Sequence, residues 1–297
     1  MSLVACFGET IWDVFPEGKS LGGAPLNVAY HLARLGVRAR IVTAVGRDAL
    51  GDEAVRAMLA AGIDDASVRR HPCLSTGLAR VELDASGQAK FSIAGPVAWD
   101  EIEVDPTVDP SDPSEAGVGV VRALVFGTLA LRTEHNRASL RSLLSVPIRW
   151  RVCDLNLRAP FDDVQALRPL LGRADVLKVN EHEAVRLADA AEGEEPRVMA
   201  ERIRERWFDG VVCVTRGARG AGVLADDRWY EAPSPSCVVR DTVGAGDAFT
   251  AAFVVGLVGA VGTPDWETVL RRACALGSFV ASRAGAQPSH EGFVLPD

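Results

Sequence analysis

DTVGAGDAFTAAFVVGLVGA, residues 241–260, is the stretch whose reading decides the fold. It reads as a strand end, a glycine-rich turn and the first turns of a buried helix. Gly244 and Gly246 allow backbone angles and a closeness of approach that a side chain would block. The unpaired N–H groups of such a turn, with the positive end of the helix dipole behind them, make a site for an anion. Asp247 sets a carboxylate beside that site. Taken alone, the same aspartate could simply cap an apolar helix.

Working outward from this turn, short apolar or β-rich runs recur at 3–7, 39–45, 121–127, 151–156, 175–180 and 211–215. Stretches of helical period fall between them, at 25–35, 50–61, 134–145, 163–171, 181–190 and 196–207. Two longer helices are expected at 247–260 and 265–284. Strands alternating with helices predict an α/β fold with a mostly parallel sheet covered on both faces. Residues 75–99 break the rhythm, reading as two alternating strands joined at Ala85-Ser86-Gly87. They predict a small antiparallel lid outside the main sheet. The proline-rich run at 105–117 reads as a connector.

A second motif lies near the N-terminus, in Gly22-Gly23-Ala24-Pro25-Leu26-Asn27. Pro25 suits a first helical turn and Gly36 a helix stop. The paired glycines let a ligand lie against backbone, while Asn27 can donate to and accept from a hydroxyl. A purely structural turn fits those residues too. Other phosphate-binding patterns are excluded. Gly18-Lys19-Ser20 mimics the end of a Walker A loop, but Asp13 stands where its first glycine belongs. No Gly-x-Gly-x-x-Gly follows the first strand, and neither His-Arg-Asp nor Asp-Phe-Gly occurs.

Both motifs resemble the two signature patterns of the PfkB (ribokinase-like) carbohydrate kinases, in the family's order. Asn180-Glu181-His182-Glu183 resembles its Asn-x-x-Glu element, and Thr215-Arg216-Gly217 its nucleotide strand and turn. Gly8-Glu9 through Asp13 resembles the opening strand that supplies a sugar-binding aspartate. Asp154-x-Asn156-x-Arg158 resembles an element of the fructokinase and ketodeoxygluconate kinase branches, and Gly285-Ala286 the C-terminal nucleotide edge. The resemblance implies a single domain over 1–297, a three-layer α/β/α sandwich, with a lid from about 10–22 and 75–102.

It also implies an ATP-dependent kinase acting on a sugar's primary hydroxyl, D-fructose in the first place. Ketodeoxygluconate is the alternative, through Arg158 with Arg132, and a non-catalytic sugar-binding regulator is the alternative from another class. Asp247 would be the base, kept ionised by its helix N-terminus, with Gly244, Ala245 and Gly246 as the anion hole. Asp13, Gly23, Asn27 and Arg158 would bind sugar, and Asn180, Thr215, Gly217 and Gly246 the nucleotide. Glu183 would act on Mg²⁺ through water, although a capping role suits its position equally. Arg158 could equally pair with Asp154 or Asp162. A monovalent cation such as K⁺ and a homodimer through the lid belong to the same expectation.

A net charge of −8 argues against a broad nucleic-acid footprint. The six cysteines stand singly, with no Cys-x-x-Cys pair, which predicts reduced thiols and a cytoplasmic protein. The N-terminal MSLVACFGETIWD carries no basic leader, and no apolar run reaches the ~18–20 residues of a membrane span. Lysine is scarce, at Lys19, Lys90 and Lys178 only. Arginines, backbone amides and Mg²⁺ are therefore expected to neutralise phosphate.

Overall fold

Alternate residues of a strand point to opposite faces of its sheet, and in β1 (Leu3–Phe7) every residue is apolar and buried. Leu3, Ala5 and Phe7 enter one core, and Val4 and Cys6 the other. A strand of this kind must be covered on both sides. The computed structural model describes residues 2–15, 18–83, 89–93, 95–104 and 121–296, with no side-chain placement over 80–92.

After β1 come β2 (Ile11–Phe15), β3 (Gly18–Gly22), α1 (Ala24–Arg34), β4 (Arg38–Gly46), α2 (Ala49–Ala60) and β5 (Val68–His71). They are followed by β6 (Gly77–Leu83), β7 (Ala89–Ile93), β8 (Val121–Phe126), α3 (Glu134–Leu144), β9 (Trp150–Asp154) and α4 (Val164–Leu171). The remainder is β10 (Val176–Asn180), α5 (Glu181–Ala188), α6 (Pro196–Trp207), β11 (Val211–Thr215), β12 (Ala221–Ala225), β13 (Arg228–Ala232), α7 (Ala245–Gly259) and α8 (Trp266–Ala281).

The main sheet has the order β13-β12-β11-β10-β9-β8-β1-β4-β5. The run from β11 to β5 is parallel, and β12 and β13 close the far edge as an antiparallel hairpin. Core residues of α3 to α6 pack on one face, and those of α1, α2, α7 and α8 on the other. The expected α/β/α sandwich is thus the observed one. In open sheets of this kind, ligands bind beyond the carboxyl ends of the strands. Asp154, Asn180 and Thr215 stand at those ends of β9, β10 and β11.

The smaller sheet has the order β3-β2-β6-β7. Its hairpins β2/β3 and β6/β7 are antiparallel, and parallel β2/β6 pairing joins them. The expected turn at Ala85-Ser86-Gly87 and the connector at 105–117 lie outside the described residues.

Two details differ from expectation. No strand leads into the turn at 241: β13 ends at Ala232, and an irregular segment follows whose end is tied to α8 by Arg240 N and Asp241 N donating to Ala281 O. The hairpin β12/β13 also escapes the sequence patterns. Its turn is Asp226-Asp227, both residues at positive φ (48° and 60°), without the glycine or asparagine that usually marks such a turn.

Candidate active site

Helix α7 begins at Gly244, whose φ of 76° favours glycine. A Cβ here would also stand 2.6 Å from Ala286 Cα. The helix buries Phe249, Phe253, Val254 and Leu257, which hold its N-terminus at the strand ends. The N–H groups of Gly246 and Asp247 come too early in the helix to reach an intrahelical carbonyl. Ala245 N differs from expectation, since it donates to Thr242 O at 3.3 Å. The anion turn is therefore centred on Gly246 and Asp247, with Gly244 providing the bend.

Asp247 Oδ2 accepts from Asn27 Nδ2 at 2.7 Å, joining α7 to α1. Burial pushes its carboxyl up to about 7, and the Asp154 charge adds to the rise. Asn27, Lys178 and Arg158 oppose that rise without cancelling it. The expectation that a helix N-terminus keeps Asp247 fully ionised is thus corrected. Desolvation and the neighbouring Asp154 charge bring the carboxyl to about 7, so it titrates near neutrality.

On the α1 side, Asn27 is buried, and its Oδ1 accepts from Gln287 Nε2 at 2.9 Å. Its amide orientation is therefore fixed from both ends. Gly23 caps α1 at a φ of 113°, and a Cβ there would sit 2.2 Å from Glu9 O. Asp13 lies on β2 behind Gly22, where a Cβ would come within 3.3 Å of its Oδ2. Burial lifts Asp13 to about 6, against the pull of Arg158. Arg158 is exposed, and its charge also lowers Glu9 and Asp247. The scaffolding pairs once open to Arg158 are taken, since Asp154 binds Lys178 and Asp162 binds Arg186. Contacts and mutual charge effects thus place Asp13, Gly23, Asn27, Arg158 and Asp247 in one neighbourhood.

Asn180 and Glu183 form a reciprocal cap on α5. Asn180 Oδ1 accepts from Glu183 N at 3.0 Å, and Glu183 Oε2 accepts from Asn180 N at 2.8 Å. Glu183 Oε1 accepts from Leu157 N at 2.7 Å, fastening the loop that carries Arg158. Burial raises the Glu183 carboxyl, Asp154 adds to this, and both backbone bonds and Lys178 resist it. Each Glu183 oxygen keeps a further lone pair that can accept from a water of a hydrated Mg²⁺. Among the described residues no cluster of three acidic, histidine or cysteine side chains could cage a metal. Thr215 and Gly217 stand one strand further out. Thr215 Oγ1 donates to Val179 O at 3.3 Å, and Gly217 O accepts from Ser234 Oγ at 3.1 Å.

Sequence reasoning missed the pair beneath the anion turn. Lys178 Nζ donates to both oxygens of Asp154 at 2.8 Å, and Thr250 Oγ1 donates to Asp154 Oδ2 at 2.7 Å. A Cβ on Gly246 would stand 3.8 Å from Lys178 Nζ, so a buried cation lies directly behind the turn. Burial alone would lower the Lys178 pKa, but Asp154, Glu183 and Asp247 reverse this and raise it. The expectation that only arginines, amides and Mg²⁺ neutralise phosphate is amended accordingly. A signal was present, because a doubly buried parallel strand should be wholly apolar. Lys178 interrupts β10 opposite Asp154 of β9. Arg132, in contrast, is buried against Asp100, with Nε–Oδ1 and Nη2–Oδ2 bonds of 2.6 and 2.7 Å. It also covers the Trp99 ring at 4.1 Å.

A family model described as pfkB family carbohydrate kinase matches residues 2–291, and the chain belongs to that family. The expectation of an ATP-dependent carbohydrate kinase stands. A fructokinase of Klebsiella pneumoniae is 29% identical over 94% of this chain and 93% of its own. A fructokinase double mutant of Vibrio cholerae, solved with fructose, ADP and potassium, is 25% identical. It aligns with a TM-score of 0.79 over 97% of this chain and 95% of its own. An aminoimidazole riboside kinase of Salmonella enterica, 21% identical, shares the fold with a TM-score of 0.78 over 97% of this chain and 96% of its own. The fold is therefore common to kinases of different acceptors, and the choice of acceptor rests on the site.

Proposed function

We propose that this enzyme transfers the γ-phosphoryl group of ATP to a primary hydroxyl of D-fructose or a closely similar ketose. The observation that carries the reading is Asp247, bonded to Asn27 at 2.7 Å, lifted to about 7 and set in the first turn of α7 beside Gly246. Asp247 orients the sugar hydroxyl and takes its proton as the oxygen attacks phosphorus. The bond to the bridging oxygen breaks with its electrons, and ADP leaves. The N–H groups of Gly246 and Asp247 receive the transferring phosphoryl, backed by Lys178. Magnesium supplies charge neutralisation on the ATP phosphates, and Glu183 orients a water of its shell. Asn180, Thr215 and Gly217 line the nucleotide edge.

On the sugar side, Asp13 and Asn27 serve hydroxyls, and Gly23 lets the ring lie against backbone. Acceptors placed in this way favour a polyol and discriminate against analogues lacking a hydroxyl. Ketodeoxygluconate is disfavoured by the charge balance. Its carboxylate would need Arg132 as well as Arg158, and Asp100 already holds Arg132 in a two-bond pair. That leaves Arg158 facing Glu9, Asp13 and Asp247.

The same reading carries a cytoplasmic enzyme of one kinase domain, with β2, β3, β6 and β7 as its lid. It also carries activation by a monovalent cation and a homodimer through the lid, where Phe15 is 38% exposed. The test is nucleotide consumption across a panel of sugars, with and without Mg²⁺. Fructose should give the highest kcat/KM. A higher value for ketodeoxygluconate overturns the substrate, and consumption by no sugar overturns the catalytic reading.

A further inference from the structure

Glu9 is a buried acid to which the reaction above gives no task. It follows β1, is only 3% exposed, and lies directly beneath the Gly22-Gly23 turn. A Cβ on Gly23 would stand 2.2 Å from Glu9 O and 3.4 Å from Glu9 Cγ. Helix α1 has no side-chain cap of its own. Glu9 Oε1 replaces it from another element, accepting from Ala24 N at 3.1 Å. One turn on, Asn27 N donates to Gly23 O at 2.8 Å, and the Asn27 side chain holds Asp247. Glu9 Oε2 is buried without a hydrogen-bond partner among the described residues. Buried carboxylate oxygens are normally partnered, and an uncompensated one acts strongly on nearby charge because little solvent screens it.

We propose that Glu9 is a positioning residue of this kinase, which anchors the start of α1 so that Asn27 meets Asp247 and sets electrostatically the pH range over which Asp247 serves as base. This rests on the assignment of Asp247 given above. The charged groups acting on Glu9 are Asp247 of α7 and Arg158 of the loop after β9. Those acting on Asp247 include Asp154 of β9, Lys178 of β10 and Arg158, with the neutral Asn27 of α1 bonded to it. Burial first, and Asp247 after it, bring Glu9 to about 7, so the two acids ionise over the same range. Neither then titrates independently.

Two variants separate the roles. Glu9→Gln keeps an oxygen for Ala24 N and removes the charge. The acid limb of its kcat/KM profile should move to lower pH by about half a unit, because Asp247 no longer ionises beside a second carboxylate. Sugar KM should stay close to wild type, and the urea midpoint near pH 8 should not fall, because the variant no longer buries an ionisable carboxyl raised to about 7. Glu9→Ala removes the anchor, and kcat should fall about tenfold through misplacement of Asn27 and Asp247, with the fold verified by circular dichroism. An unmoved acid limb in Glu9→Gln overturns the electrostatic role, and wild-type kcat and KM in folded Glu9→Ala overturn the anchoring role. Asp247→Asn is assayed alongside. If it remains active, the base assignment itself has failed. If it is inactive while both Glu9 variants behave as wild type, only the inference about Glu9 has failed.

Discussion

Replacing Asp247 with Asn should make the protein more stable at neutral pH while abolishing most of its turnover. In the folded protein the carboxyl is raised from an ordinary 3.8 to about 7, chiefly by burial. The folded state therefore holds this proton more tightly than the unfolded chain does. The stability that the proton contributes is complete below about 3.8 and is lost as pH rises through about 7. At about 1.4 kcal/mol per pH unit, the full span corresponds to about 4 kcal/mol. The side chain keeps some exposure, so solvent screening reduces the figure to about 1–2 kcal/mol.

Asparagine cannot ionise, yet its amide oxygen can still accept from Asn27. Urea unfolding of both proteins at pH about 5 and about 8 isolates the group, since most other titrations cancel in the difference. The variant should gain about 1–2 kcal/mol over wild type near pH 8 and markedly less near pH 5. Turnover should fall at least ~100-fold, the scale of a lost general base. A stability difference equal at both pH values, or a wild type that is the more stable near pH 8, would refute the reasoning.

Gly244→Ala should cost about 2–4 kcal/mol, from a strained left-handed residue and from its contact with Ala286 backbone. Turnover should drop with it, and urea midpoints with initial rates check both. Glu183→Gln should raise the Mg²⁺ concentration for half-maximal rate, because an amide orients metal-bound water poorly. A magnesium titration in which only thermal stability changes would leave Glu183 as a cap for α5 and the Leu157 loop. Arg158→Ala removes a cation that lowers Glu9, Asp13 and Asp247, so the acid limb of kcat/KM should move to higher pH. A modest loss with fructose is expected, and a far larger one with any sugar acid that binds; the paired pH profiles measure both.

The helices and most parallel strands were legible because their patterns are local, while the short edge strand β5, Val68–His71, carries no such apolar run. Apolar runs bounded by glycine and helical stripes with caps gave most elements to within a few residues. The edge hairpin was not, since Asp226-Asp227 reaches positive φ without the glycine of the usual Asp-Gly turn. The two glycine motifs carried Asp247, the Gly244–Gly246 turn and Asn27. What they could not carry was protonation. Whether Asp247 is ionised depends on burial and on Asp154, Lys178 and Arg158, which lie far from it in sequence. The Lys178–Asp154 pair was visible in outline as two charges facing each other in adjacent buried strands. Glu9 carried no such signal, because a glutamate after a first strand reads equally well as a surface residue. Its role emerges only where Gly23 crosses over it.

The contact between Asn27 and Asp247 joins residues 220 positions apart. A chain leaving the ribosome therefore completes its sugar-side helix early and its base late. Gln287, which fixes the Asn27 amide, follows later still. Throughout most of synthesis, the emerging polypeptide exposes half a cleft that can neither activate a hydroxyl nor cradle a phosphoryl group. The late helices complete that arrangement when α7 packs against α1, β8 and β9 and α8 against β12 and β13. A chain that stops before α7 lacks Asp247 and the Gly244–Gly246 turn, and so cannot form the Asn27–Asp247 contact.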